Sequence, residues 1–117
     1  MTNSHKKFRL QADEIKPIAT GFGACLATDM ITVSGMKVGF MERLKPRNEY
    51  DSGWNFLAGV ENQEYLDNPA NLEQYDVNTI ANYDPEVIPF LEAPVGSTFQ
   101  RDRISGKFIA VPGGPID

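Results

Sequence analysis

Apolar positions in this chain fall in short alternating or continuous runs rather than in long helical stripes, a pattern that predicts strands. Residues 21–28 read as a buried strand, and Asp29 opens a second extended stretch over residues 30–33. Ser34-Gly35 signals a turn. Beyond it Met36, Val38 and Phe40 alternate with Lys37 and Gly39, so residues 30–33 and 36–43 are expected to pair as a hairpin. A polar loop with Pro46 covers residues 44–51. Residues 52–59, bounded by glycines, predict a further strand, and residues 95–100 and 107–111 predict the last two. Ahead of all these, residues 11–18 predict a short helix or turn, interrupted at Pro17.

The stretch between the strands carries helix punctuation. Residues 61–66 predict a helical turn. Asn68-Pro69 and Asp84-Pro85-Glu86 each combine a capping side chain with proline at the first helical position. Residues 75–77 predict a short extended piece, and Asn78 is placed to cap residues 79–82. Pro89 lacks the donor a continuing helix needs, so residues 87–91 predict a short, 3₁₀-like element. The sum is an α+β fold: a single domain whose mostly antiparallel sheet comes from residues 22–58 and 95–111, with a few short helices packed on one side. Residues 1–19 read as a loose basic arm ending in a short helix or turn, 20–111 as the domain, and 112–117 as a frayed C-terminus. A length of 117 residues suits one core.

Charge changes this picture. Between Asn48 and Gln100 lie ten carboxylates and no Lys or Arg, and all eleven basic residues fall outside that window. Interleaved Trp54, Tyr65, Tyr75, Tyr83 and Phe90 show that the block folds, because disordered acidic segments lack such side chains. A net charge of −5 and a pI of 4.8 argue against nucleic acid as a partner and favour cationic ones. No apolar run reaches the roughly 18–20 residues of a membrane span. The polar N-terminus has no secretory pattern, and the single Cys25 is expected to be a small buried side chain. These readings point to the cytoplasm. The only histidine, His5, lies in the arm, which disfavours triads, histidine bases and multi-histidine metal sites.

Two motifs are dense in chemistry. In Asp51-Ser52-Gly53-Trp54, Asp51 caps a turn and Trp54 is either the anchor of a strand or an exposed binding platform. In residues 78–85, Asn78, Asn82, Tyr83 and Asp84 supply a polar surface or, alternatively, successive helix caps. Glu61, Glu64, Asp67 and Asp76 match no calcium-loop spacing, so no metal or cofactor is assigned. Gly21-Phe22-Gly23 lacks the Lys-Ser/Thr of a phosphate loop. No catalytic residue is assigned, and the chain reads as more fitted to binding than to catalysis.

In the order 21–29, 36–41, 51–54, 78–85 and 94–97, these strings resemble the immunity-protein (type 33-like) family of bacteria, formerly a domain of unknown function. The resemblance covers residues 20–101 and departs at Val60, where the family pattern favours an acidic residue. It implies a non-catalytic protein that binds and neutralises a cognate toxin, and the acidic block implies a basic one. Asp51, Trp54, Glu61, Glu64, Tyr65, Asp67, Asp76, Asn78, Asn82, Tyr83 and Asp84 are the candidate contacts. The rival expectation is a small-ligand or metal-binding domain built on Asp51, Asn78, Asn82, Tyr83 and Asp84 beside Trp54. A third is a structural or oligomeric module with a solvated acidic face.

Overall fold

The computed structural model describes residues 6–112; the expectations placed on residues 1–5, His5 among them, and on 113–117 lie outside the described residues. Six strands form one sheet: β1 (Ala24–Thr28), β2 (Phe40–Arg43), β3 (Asp51–Leu57), β4 (Leu72–Asp76), β5 (Thr98–Arg101) and β6 (Phe108–Ala110). Their spatial order is β4-β1-β3-β2-β5-β6. Every neighbouring pair is antiparallel except β1 with β3. Three short helices complete the α+β fold: α1 (Asp29–Thr32), α2 (Gln63–Asp67) and α3 (Val77–Tyr83), together with 3₁₀ turns at Ala12–Glu14, Pro69–Asn71 and Pro85–Phe90. None of the described helices is long and apolar enough to cross a membrane.

Alternation along the strands sets the core. Cys25 and Ala27 of β1, Met41 of β2, and Trp54 and Phe56 of β3 are fully buried and point to one face. Against them pack Ile31 of α1, Val77, Ile80 and Ala81 of α3, and Val87 and Leu91. Each such large apolar side chain contributes roughly 1.5–3 kcal/mol by leaving water. Gly53 interrupts β3 with φ +89°, and a Cβ there would stand 2.0 Å from the Leu44 carbonyl oxygen. Gly23, at φ +99°, lets the chain pass within 2.6 Å of the Tyr50 carbonyl by the same measure. Within Gly21-Phe22-Gly23 it is Gly23 that serves close backbone approach.

Several local expectations are corrected. Residues 30–32 are helical and Val33 caps the helix, rather than being extended. The β-branched run favours a strand, but one helical turn after Thr28 seats Ile31 and Thr32 in the core, and burial outweighs propensity. The hairpin therefore joins β2 to β3 across residues 44–50. Because β1 and β3 are parallel, the chain must cross over between them; it does so through α1 and β2, then returns as β3 inside the sheet. Asn78 does not cap α3: Asp76 does, accepting from the Asn78 N–H at 2.8 Å. The arm expected to be loose is tied down over its described part. Lys6 binds Asp29 at 2.9 Å and pairs with Glu73, and the Arg9 N–H donates to the Thr32 carbonyl at 2.8 Å.

Candidate functional site

The polar string at residues 78–85 is brought together on α3, and its partners are internal. Asn78 Oδ1 accepts from the N–H groups of Ile18 and Ala19 at 2.9 and 2.8 Å. One turn on, Asn82 clasps Lys16: its Oδ1 accepts from the Lys16 N–H and its Nδ2 donates to the Lys16 carbonyl, both at 2.8 Å. The Tyr83 hydroxyl accepts from the Leu10 N–H at 3.1 Å and donates to the Thr32 carbonyl at 3.0 Å. These side chains bind the N-terminal segment to the domain much as a ligand would be bound.

Asp84 closes a second centre. It is fully buried. Oδ1 accepts from the Glu86 N–H at 3.1 Å, capping the 3₁₀ turn. Oδ2 accepts from the Val38 N–H at 3.0 Å and from Arg101 Nη2 at 2.5 Å. Arg101 also donates to Glu86 and to the Val38 and Gly106 carbonyls, and its guanidinium lies 4.3 Å from the Phe108 ring centroid. Trp54 is a core residue with no exposed surface, and its Nε1–H donates to the Leu91 carbonyl at 3.1 Å. Neither Trp54 nor Asp84 can touch a partner, which corrects their place among the candidate contacts.

Asp51 and Glu61 are held at opposite ends of β3. Asp51 Oδ2 accepts from Arg47 Nε at 3.0 Å, and Oδ1 from the Gly53 N–H at 3.1 Å. Glu61 accepts from the Thr28 hydroxyl at 2.5 Å and from the Ala58 and Gly59 N–H groups at 2.8 and 2.9 Å. Burial pushes both carboxyls up in pKa, but the hydrogen bonds outweigh it and hold both below their ordinary values. The proposed ligand cluster is thus dispersed: Asp51 sits at the β2–β3 hairpin while Asn78, Asn82 and Tyr83 clamp residues 10–19. Among the described residues no group of three or more His, Cys, Asp or Glu could hold a metal.

On α2, Glu64 and Asp67 are exposed. Tyr65 is half-buried, and its hydroxyl lies against the start of α1 without a hydrogen bond among the described residues. Burial, then the Asp29 carboxylate, pushes that phenol up in pKa. Glu73, Asp51, Asp84 and Glu86 of the acidic block are therefore paired by Lys6, Arg47 and Arg101, which the sequence places outside the window.

Residues that the motifs did not single out lie on the other face of the sheet. There the register sets Leu72, Thr28, Leu57, Phe40, Gln100 and Ile109 in one row, and Gln74, Leu26, Asn55, Glu42 and Thr98 in the next. Leu26, Phe40, Glu42, Asn55 and Leu57 are half-buried and Gln74 and Gln100 exposed, while Thr28 and Thr98 on the same face are buried; Cys25, Ala27, Met41, Trp54 and Phe56 on the opposite face are sealed in the core. A cleft of about 570 Å³ opens at the end of this face, between Phe40, Leu57, Val60 and Glu61 on one side and Arg101 and Arg103 on the other. The signal available in sequence was the period-two alternation itself, which says that a strand has two faces but not which one is covered.

A protein-family model described as "Immunity protein Imm33 domain" matches residues 25–112. No curated protein and no solved structure matches the chain.

Proposed function

The chain belongs to the Imm33 immunity-protein family, and on that premise we propose that it binds one cognate toxin protein in the bacterial cytoplasm and blocks it without catalysis. The family match over residues 25–112 is the observation that carries this reading. The internal bonding of Asn78, Asn82, Tyr83 and Asp84 supports it, since these side chains are occupied as scaffold rather than offered to a substrate.

The partner is basic. Supporting this, Glu49, Glu64, Asp67 and Glu92 of the acidic block stay exposed while others are matched internally. Exposed charge of one sign raises the encounter rate with a cationic partner and makes it salt-sensitive. Asp67 and Glu64 on α2 and Asp76 at the β4 end serve this steering role. Glu61 does not, because its oxygens already hold the 58–61 loop and Thr28.

The test is co-expression with the product of each gene flanking this chain's own, reading growth, followed by mixing of the purified pair. The expected result is restored growth and a complex that forms more slowly at high salt. Growth arrest despite expression of the folded chain, with no complex on a sizing column, would reject the reading.

A further inference from the structure

We infer that the half-exposed part of this sheet face, centred on Glu42 and Asn55, is where the toxin docks, and that it receives a toxin element carrying one Lys or Arg over Glu42 and one apolar side chain in the cleft beside Phe40 and Leu57. This rests on the toxin-binding reading above.

Elsewhere in the fold Asp51, Glu61, Asn78, Asn82 and Asp84 are each bonded internally, the buried Tyr65 hydroxyl being an exception. On this face Glu42, Asn55, Gln74 and Gln100 make no side-chain hydrogen bond or ion pair among the described residues, although Glu42 and Asn55 are half-buried and directly paired across β2 and β3. A docking partner would satisfy them. Interfaces leave such groups open in the free protein and close them in the complex.

Charge selects the partner. No Lys or Arg occupies a strand position on this face, and Glu42 is the one carboxylate at its centre. Half-buried between Asn55 and Thr98 and two residues from Phe40, the Glu42 carboxylate is partly screened from water, so an opposing cation gains more there than at the exposed Glu64 or Asp67. The cleft is mixed in charge: Arg101 and Arg103 line it together with Glu61 and Asp102, and Arg101 is already paired with Asp84 and Glu86. The cation of the toxin is placed over Glu42, and its apolar anchor toward Phe40, Leu57 and Val60. Six strands at roughly 4.8 Å spacing make the face about 24 Å wide, enough for the core of an interface of about 800 Å² per partner.

The experiment measures binding of the toxin found by that co-expression, carried as an inactive variant, to wild type, Glu42→Gln, Glu42→Arg, Asn55→Arg and the α2 double variant Glu64→Lys/Asp67→Lys. Circular dichroism and urea midpoints check the fold of each. Expected are a weakening of about tenfold for Glu42→Gln and at least 100-fold for the two arginine variants, mostly in dissociation rate. The α2 variant should change the association rate at low salt by a few-fold. Should Glu42→Arg fail to fold, Glu42→Gln and Asn55→Arg carry the test. Wild-type binding retained within threefold by the folded face variants overturns the docking site and leaves the toxin-binding reading standing. No binding by wild type overturns both.

Discussion

Replacing Asp84 by Asn tests whether the most conspicuous carboxylate of the 78–85 string serves the fold. The substitution keeps volume and removes charge. Asp84 accepts from three donors: the Glu86 and Val38 N–H groups and Arg101 Nη2, the last at 2.5 Å. An Asn side chain has one acceptor oxygen, so in either orientation its NH₂ faces a donor. Breaking a buried ion pair typically costs about 3–5 kcal/mol. Arg101 retains Glu86 and the Gly106 carbonyl, and its side chain is 16% exposed, so the loss falls at the low end, about 3 kcal/mol. With an unfolding entropy of about 2.1 cal/mol/K per residue, that lowers Tm by about 12 °C. Urea unfolding with an unchanged slope measures it, and a cycle with Arg101→Met isolates the coupling, expected above about 1 kcal/mol. A loss below about 1 kcal/mol, or simple additivity in the cycle, refutes the account.

Three further outcomes follow from the same geometry. Asn82→Ala removes both bonds to Lys16 and should cost about 1–3 kcal/mol, with amide exchange accelerating at residues 15–19 more than in β1 or β3. Glu61 has its pKa depressed below 4.5, so its contribution is present above that value and lost as pH falls through the lower folded pKa; Glu61→Gln should flatten stability in that acid range, and an unchanged profile would contradict the Thr28–Ala58–Gly59 bonding. Burial pushes the Cys25 thiol far above its ordinary pKa, and Trp54 has no exposed surface. Native protein should therefore resist thiol reagents and show blue-shifted tryptophan emission insensitive to acrylamide, both reversing together in urea.

Short-range chemistry was readable from the residues alone. Proline, glycine and capping side chains act within a few positions, so Asn68-Pro69, Asp84-Pro85-Glu86 and the strands around Cys25 and Trp54 appear near where the sequence places them. The family strings were equally plain, since they are strings. What lay beyond reach depends on which distant residues meet. Propensity favoured a strand at Ile31-Thr32-Val33, and the core it had to fill made it a helix. Asn78 looked like a cap, but Asp76 stood one residue before the helix and Asn78 faced the segment 59 residues earlier. Along the chain the acidic block has no basic residue to pair with. Folding carried Lys6, Arg47 and Arg101 onto Glu73, Asp51 and Asp84, because Coulomb attraction follows distance in space rather than along the chain. The open sheet face was the least visible of all: alternation makes two faces alike in sequence, and only the packing of α1 and α3 against one of them leaves Glu42 and Asn55 on the other.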